Sequence, residues 1–151
     1  MNGFLLYLRR RWQEWAARFL IAGVLFWNLQ AAVYFMFRPA DFLEPFQLEG
    51  IPGRSAIIGY GILFLMWCVP YVFALVHPVK WRISLWEALI MQGIGTTAEL
   101  ILLSSIPTDY VLLRSSITRF ALFDGAGVLL LMIALVLSRQ REELFGEMHQ
   151  K

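Results

Sequence analysis

Charge is scarce in this 151-residue chain: Asp, Glu, Lys and Arg together make up 16% of it, against about 25–35% on the surface of a soluble domain. Apolar residues supply 59%, so the solvent to which the fold is matched is lipid. A single cysteine, Cys68, excludes an intrachain disulfide and a multi-cysteine metal site. It stands beside Trp67 in an apolar run and reads as a small buried hydrophobe. The two histidines, His77 and His149, fall on separate segments, which gives neither a zinc site nor a two-histidine haem site. Gly93-Ile94-Gly95 lies inside an apolar run without the lysine and the strand-turn-helix setting of a phosphate loop. Ser104, Ser105, Ser115 and Ser116 cluster near Asp109 with no histidine base, so a serine hydrolase has no support. The sequence specifies no cofactor and no metal. Its net charge of +2 is explained by topology rather than by affinity for nucleic acid.

What is present is four long apolar stretches. Residues 19–37 contain no charge and, as a helix, extend roughly 28 Å, close to the hydrocarbon thickness of about 30 Å. Trp27, Asn28 and Gln30 within this run, and Phe35-Met36-Phe37 at its end, do not make a signal-peptide cleavage pattern. Further spans are expected over 55–77, with Pro70 inside, over 85–106, and over 115–138, the last with the least certain start. Ser84-Leu85-Trp86-Glu87 reads as a capping box opening the third span. Residues 1–18 form an N-terminal segment, either an interfacial helix or a helical extension of the first span. Residues 38–54 form an outer loop whose apolar residues, among them Phe42, Phe46 and Leu48, suit it to packing over the mouth of the bundle. The expected fold is thus a single all-α domain, an antiparallel bundle of four transmembrane helices.

Orientation follows from the basic residues. Arg9, Arg10, Arg11, Arg18, Lys80, Arg82, Arg139, Arg141 and Lys151 fall on one side, whereas only Arg38, Arg54 and Arg114 fall on the other. The positive-inside rule then puts both termini in the cytoplasm and the chain in an inner membrane. Trp12, Trp15, Trp81 and Trp86 lie at the same inner interface, where an indole fits headgroup depth.

Three charges remain inside the spans: Glu99 in the third, Arg119 and Asp124 in the fourth. In lipid each needs a partner, water or a ligand. Counting residues puts Glu99 roughly 10 Å below the outer end, Arg119 about 8 Å and Asp124 about 15 Å, so the expectation is a shared polar site in the outer half. Arg119 and Asp124 are nonetheless about 140° apart around their own helix. Asn28, Gln92 and Thr96 are expected to help, and of Asn28 and Gln30 only one can face inward. Gly93 with Thr97, and Ala121 with Gly125, have the small-xxx-small spacing of close helix contacts. The functional expectation is a pocket for a small amphipathic ligand, or a docking face for a membrane partner, in a homo-oligomer or larger complex. Two alternatives stand beside it: an acid-base membrane enzyme using Glu99 and Asp124, and a structural subunit in which the same residues form a buried ionic network without chemistry.

Overall fold

The computed structural model describes the backbone of residues 2–149 and the side chains of residues 11–138. It is an all-helical four-helix bundle, with α1 at Asn2–Phe37, α2 at Gly50–Val76, α3 at Arg82–Ser105 and α4 at Val111–His149. A short 3-10 turn, η1, at Pro39–Phe42 follows α1. Each helix holds a stretch long and apolar enough to cross a bilayer: Arg11–Phe37, Gly50–Val76, Arg82–Ser105 and Val111–Ser138. Helices are the form such sequences must take in lipid, because they satisfy every backbone N–H and C=O within the segment. Large apolar side chains cover the outside, among them Phe19, Leu63, Ile94 and Leu129, which is the surface of a multi-pass membrane protein.

The helices form a closed ring in which α1 packs on α2, α2 on α3, α3 on α4 and α4 back on α1. At the end holding the termini the core is aliphatic, built from Ala17, Ile21 and Val24 of α1, Ala74 of α2, Leu85 and Ala88 of α3, and Leu131, Ala134 and Leu135 of α4. At the opposite, loop end it becomes aromatic. Phe35 is its hub, 4.6 Å from Phe42, 5.8 Å from Phe64 and 5.8 Å from Phe120 between ring centroids. Gly61 lets α2 close on α1, since a Cβ there would lie 2.9 Å from the Ala32 carbonyl oxygen.

Several local expectations change. Helix α2 starts at Gly50 and α4 at Val111, earlier than the expected spans beginning at 55 and 115. A charge ends the hydrocarbon stretch, but the helix can run on into the interface. Helix α3 starts at Arg82 behind Trp81, with no side-chain cap; Ser84 is already helical and Glu87 is exposed, so the expected capping box is not formed. Residues 2–18 continue α1 without a break. The interfacial contacts expected of Phe4 to Arg10, and of Arg139, Arg141 and Lys151, lie outside the described side chains. Cys68 is buried and free.

The loop between α1 and α2 packs onto the bundle. Pro39 opens η1, where its fixed φ and missing N–H cost nothing, and Gln47 (φ 52°) and Gly50 (φ 63°) take left-handed conformations that turn the chain into α2. Phe42 and Phe46 face the Phe35 cluster, and the buried Ser116 hydroxyl donates to the Pro45 carbonyl at 2.9 Å. At the other loop-end connection, Arg114 Nη1 donates to the carbonyls of Leu103 (2.9 Å) and Ile106 (2.5 Å). One guanidinium from α4 thereby closes the orphaned C-terminus of α3.

Candidate functional site

The polar centre is a chain of side chains across three helices. Tyr71 of α2 donates its hydroxyl to Gln92 Oε1 of α3 and also lies 3.3 Å from the Ala88 carbonyl. Gln92 Nε2 then donates to Asp124 Oδ1 of α4 at 2.8 Å. Tyr71, Gln92 and Asp124 are all buried, and the carboxamide of Gln92, both donor and acceptor, joins a hydroxyl to a carboxyl in this order.

Two glycines make room for the chain. A Cβ on Gly95 of α3 would stand 2.5 Å from Asp124 Oδ2, and one on Gly127 of α4 would stand 2.7 Å from Gln92 Nε2. Each helix thus offers a bare stretch of backbone to the polar side chain of the other, the close approach that small residues permit in membranes. Ala121 is buried and Gly125 faces Thr96, so one of the expected small-residue pairs lies at the α3–α4 interface. The other does not: Gly93 meets nothing within 4 Å and Thr97 is exposed.

Asn28 of α1 is buried beside this chain, whereas Gln30, two residues on and about 200° around the helix, is exposed. Asn28 Nδ2 and the Trp67 indole Nε1 are both shielded from solvent, and both lie beside the Tyr71 hydroxyl without completing a hydrogen bond of good geometry. Buried donors are normally paired, and the Tyr71 hydroxyl oxygen, whose own proton goes to Gln92, is an acceptor within reach of both. A cavity of about 210 Å³ adjoins Asn28, lined by it, Gln92 and Asp124 on its polar side and by Phe35, Phe64, Phe120 and Phe123 among others. Its rim includes the exposed residues Trp27, Gln30, Tyr34 and Phe123, so it opens sideways between α1 and α4. Trp27 and Phe123 flank that opening with ring centroids 5.7 Å apart.

The structure does not assemble the three span charges into one site. Arg119 is exposed and reaches only Ser116 Oγ, at 3.4 Å; neither Glu99 nor Asp124 pairs with it. The reason is angular: Asp124 is committed to α3, and five residues of helix turn Arg119 away from it. Glu99 lines a different cleft, of about 470 Å³, with Tyr60, Leu102 and Ile117. Phe35, Phe64 and Phe120 line both spaces and form the wall between them. Glu99 and Asp124 thus line different spaces. Thr96 spends its hydroxyl on its own helix, donating to the Gln92 carbonyl at 2.9 Å, and its contribution is packing against Gly125.

Sequence reasoning missed Tyr71, Trp67, Gly95 and Gly127. The available signal was that a Tyr or Trp in mid-span must settle its polar tip somewhere. Comparisons with protein-family models, curated proteins and solved structures found no match to this chain.

Proposed function

We propose that the cavity bounded by Asn28, Gln92 and Asp124 receives the polar end of a small amphipathic molecule that enters from the bilayer between α1 and α4. The observation that carries this reading is the convergence of three polar side chains, Asn28, Gln92 and Asp124, on a space whose other lining is largely aromatic. Concave apolar sites with a few converging polar groups are the common form of a small-molecule site. At about 210 Å³ the cavity is smaller than the roughly 300–1,000 Å³ usual for drug-sized ligands. It suits a compact headgroup carrying an acceptor oxygen, with the apolar remainder left at the rim beside Trp27 and Phe123. The excess of basic residues at the terminal end supports cytoplasmic termini in an inner membrane, which puts the cavity in the outer half.

The test is a density map of the protein in discs of its native lipid, combined with mass analysis of extracted small molecules. Density touching Asn28, and its loss together with a co-purifying compound in Asn28→Leu of unchanged helical content, is the expected result. An empty cavity in the wild type, with no compound that depends on Asn28, refutes it.

Docking of a membrane partner has one observation of its own, the exposed Arg119 guanidinium within a span. A partner offering a carboxylate at that depth would satisfy it. Co-purification that is lost in Arg119→Gln is the corresponding test.

A further inference from the structure

The Glu99 cleft stands apart from the cavity just described, and its chemistry is of the opposite kind. The first cavity presents the amide donors of Asn28 and Gln92, whereas Glu99, when ionised, offers only acceptors. Glu99 Oε2 is shielded from solvent and has no hydrogen-bond partner. Among the described side chains, ion pairs join Arg18 to Glu14 and Arg38 to Asp41, both remote from Glu99 in the chain. Besides Glu99 the cleft is lined by aromatic and aliphatic side chains, and no Lys, Arg or His is among them. Arg119, the basic residue nearest in depth, is exposed and turned toward Ser116.

A carboxyl group inside a membrane span is retained at a cost unless something answers its charge. Among the described residues that line the cleft, none is of opposite sign. The protein does supply aromatic rings: Phe46, Tyr60, Phe64 and Phe120 all line the cleft, with Phe46 and Phe120 centroids 5.9 Å apart and Phe64 and Phe120 6.4 Å apart. A carboxylate beside several aromatic faces is the combination that recognises an ammonium group, through charge and through the ring quadrupoles. The space of about 470 Å³ accommodates an alkyl or aryl body behind that group, and its aliphatic wall of Leu102, Ile106, Leu113 and Ile117 suits one.

We infer that the cleft between α2, α3 and α4 is a binding site for a lipophilic amine, with Glu99 as its counter-ion and the Phe46, Tyr60, Phe64 and Phe120 rings around its ammonium group.

The test uses the full chain in phosphatidylcholine nanodiscs, with decylamine and its neutral counterpart decanol as probes, binding being read from the concentration-dependent rise in unfolding temperature. The wild type is expected to bind decylamine at least tenfold more tightly than decanol. Glu99→Gln should erase that preference while leaving decanol binding unchanged, and Leu102→Trp, which fills the cleft, should weaken both probes. Asp124→Asn should keep the preference, so failure at the Asp124 cavity and failure here are told apart. Equal binding of the two probes by the wild type, or a preference that survives Glu99→Gln, overturns the inference. So does a self-associated form that Glu99→Gln and Arg119→Gln each disperse, because the counter-ion would then be the arginine of a second copy.

Discussion

Gly127→Ala adds one methyl group to α4, and the structure specifies what it strikes. The new carbon would stand 2.7 Å from Gln92 Nε2, 2.9 Å from its Cδ and 3.2 Å from its Cγ. Gln92 has little freedom to yield, because one end of its carboxamide accepts from Tyr71 and the other donates to Asp124. Overpacking of this kind costs about 1–3 kcal/mol. Displacing the carboxamide also removes two interhelical hydrogen bonds, worth about 0.6 kcal/mol each on average in a membrane. Against this, alanine gains about 1 kcal/mol over glycine in helix propensity. The net expectation is a loss of about 1–3 kcal/mol by these figures. Gly93→Ala is the matched control, since its Cβ meets nothing within 4 Å, and it should be neutral or slightly stabilising. The assay is equilibrium unfolding in mixed micelles, followed by helical circular dichroism. A double-mutant cycle isolates the cause: in a Gln92→Ala background the added methyl has nothing to strike, and its cost should disappear. If Gly127→Ala is as harmless as Gly93→Ala, or if its cost persists without the Gln92 side chain, the account of the α3–α4 interface is wrong.

Arg114→Met removes the two hydrogen bonds that close α3; with about 1.5–3 kcal/mol for a bond to a charged group as the ceiling, amide exchange at 103–110 should accelerate well before the rest of the bundle responds, and unchanged protection there would show the contact to be idle. A cysteine placed at Glu44, in a protein whose Cys68 is replaced by Ala, should react with a membrane-impermeant reagent from outside only, and one at Arg141 from inside only. The reverse pattern would invert the orientation drawn from the basic residues.

The fold was legible because lipid imposes one rule on every span. Long apolar intervals located the four helices, and short connections required neighbours to be antiparallel. Helix ends were less legible: Arg54 and Ser84 looked like boundaries, but they mark where hydrocarbon or a favourable cap would begin, and a helix is not obliged to stop at either. In the site, Asn28, Gln92 and Asp124 stood out as polar residues in apolar surroundings. Arg119 misled because equal depth says nothing about angle around the helix axis. Tyr71 and Trp67 were hidden behind their aromatic bodies. Gly95 and Gly127 were hidden for a different reason: closeness is a property of two helices in one register, and spacing along a single helix brought out Gly93 and Thr97 instead, a pair that faces outward.

The distribution of polar groups has a consequence for synthesis. Of the four spans, α3 is the least apolar, and the partners that satisfy it come from Tyr71 before it and Asp124 and Arg114 after it. While the ribosome is still making α4, the third span is an unfinished element whose carboxamide and last carbonyls await residues not yet translated. Its lasting release into the bilayer therefore depends on the span that follows, and the two enter most favourably as one hairpin against the first pair already in place.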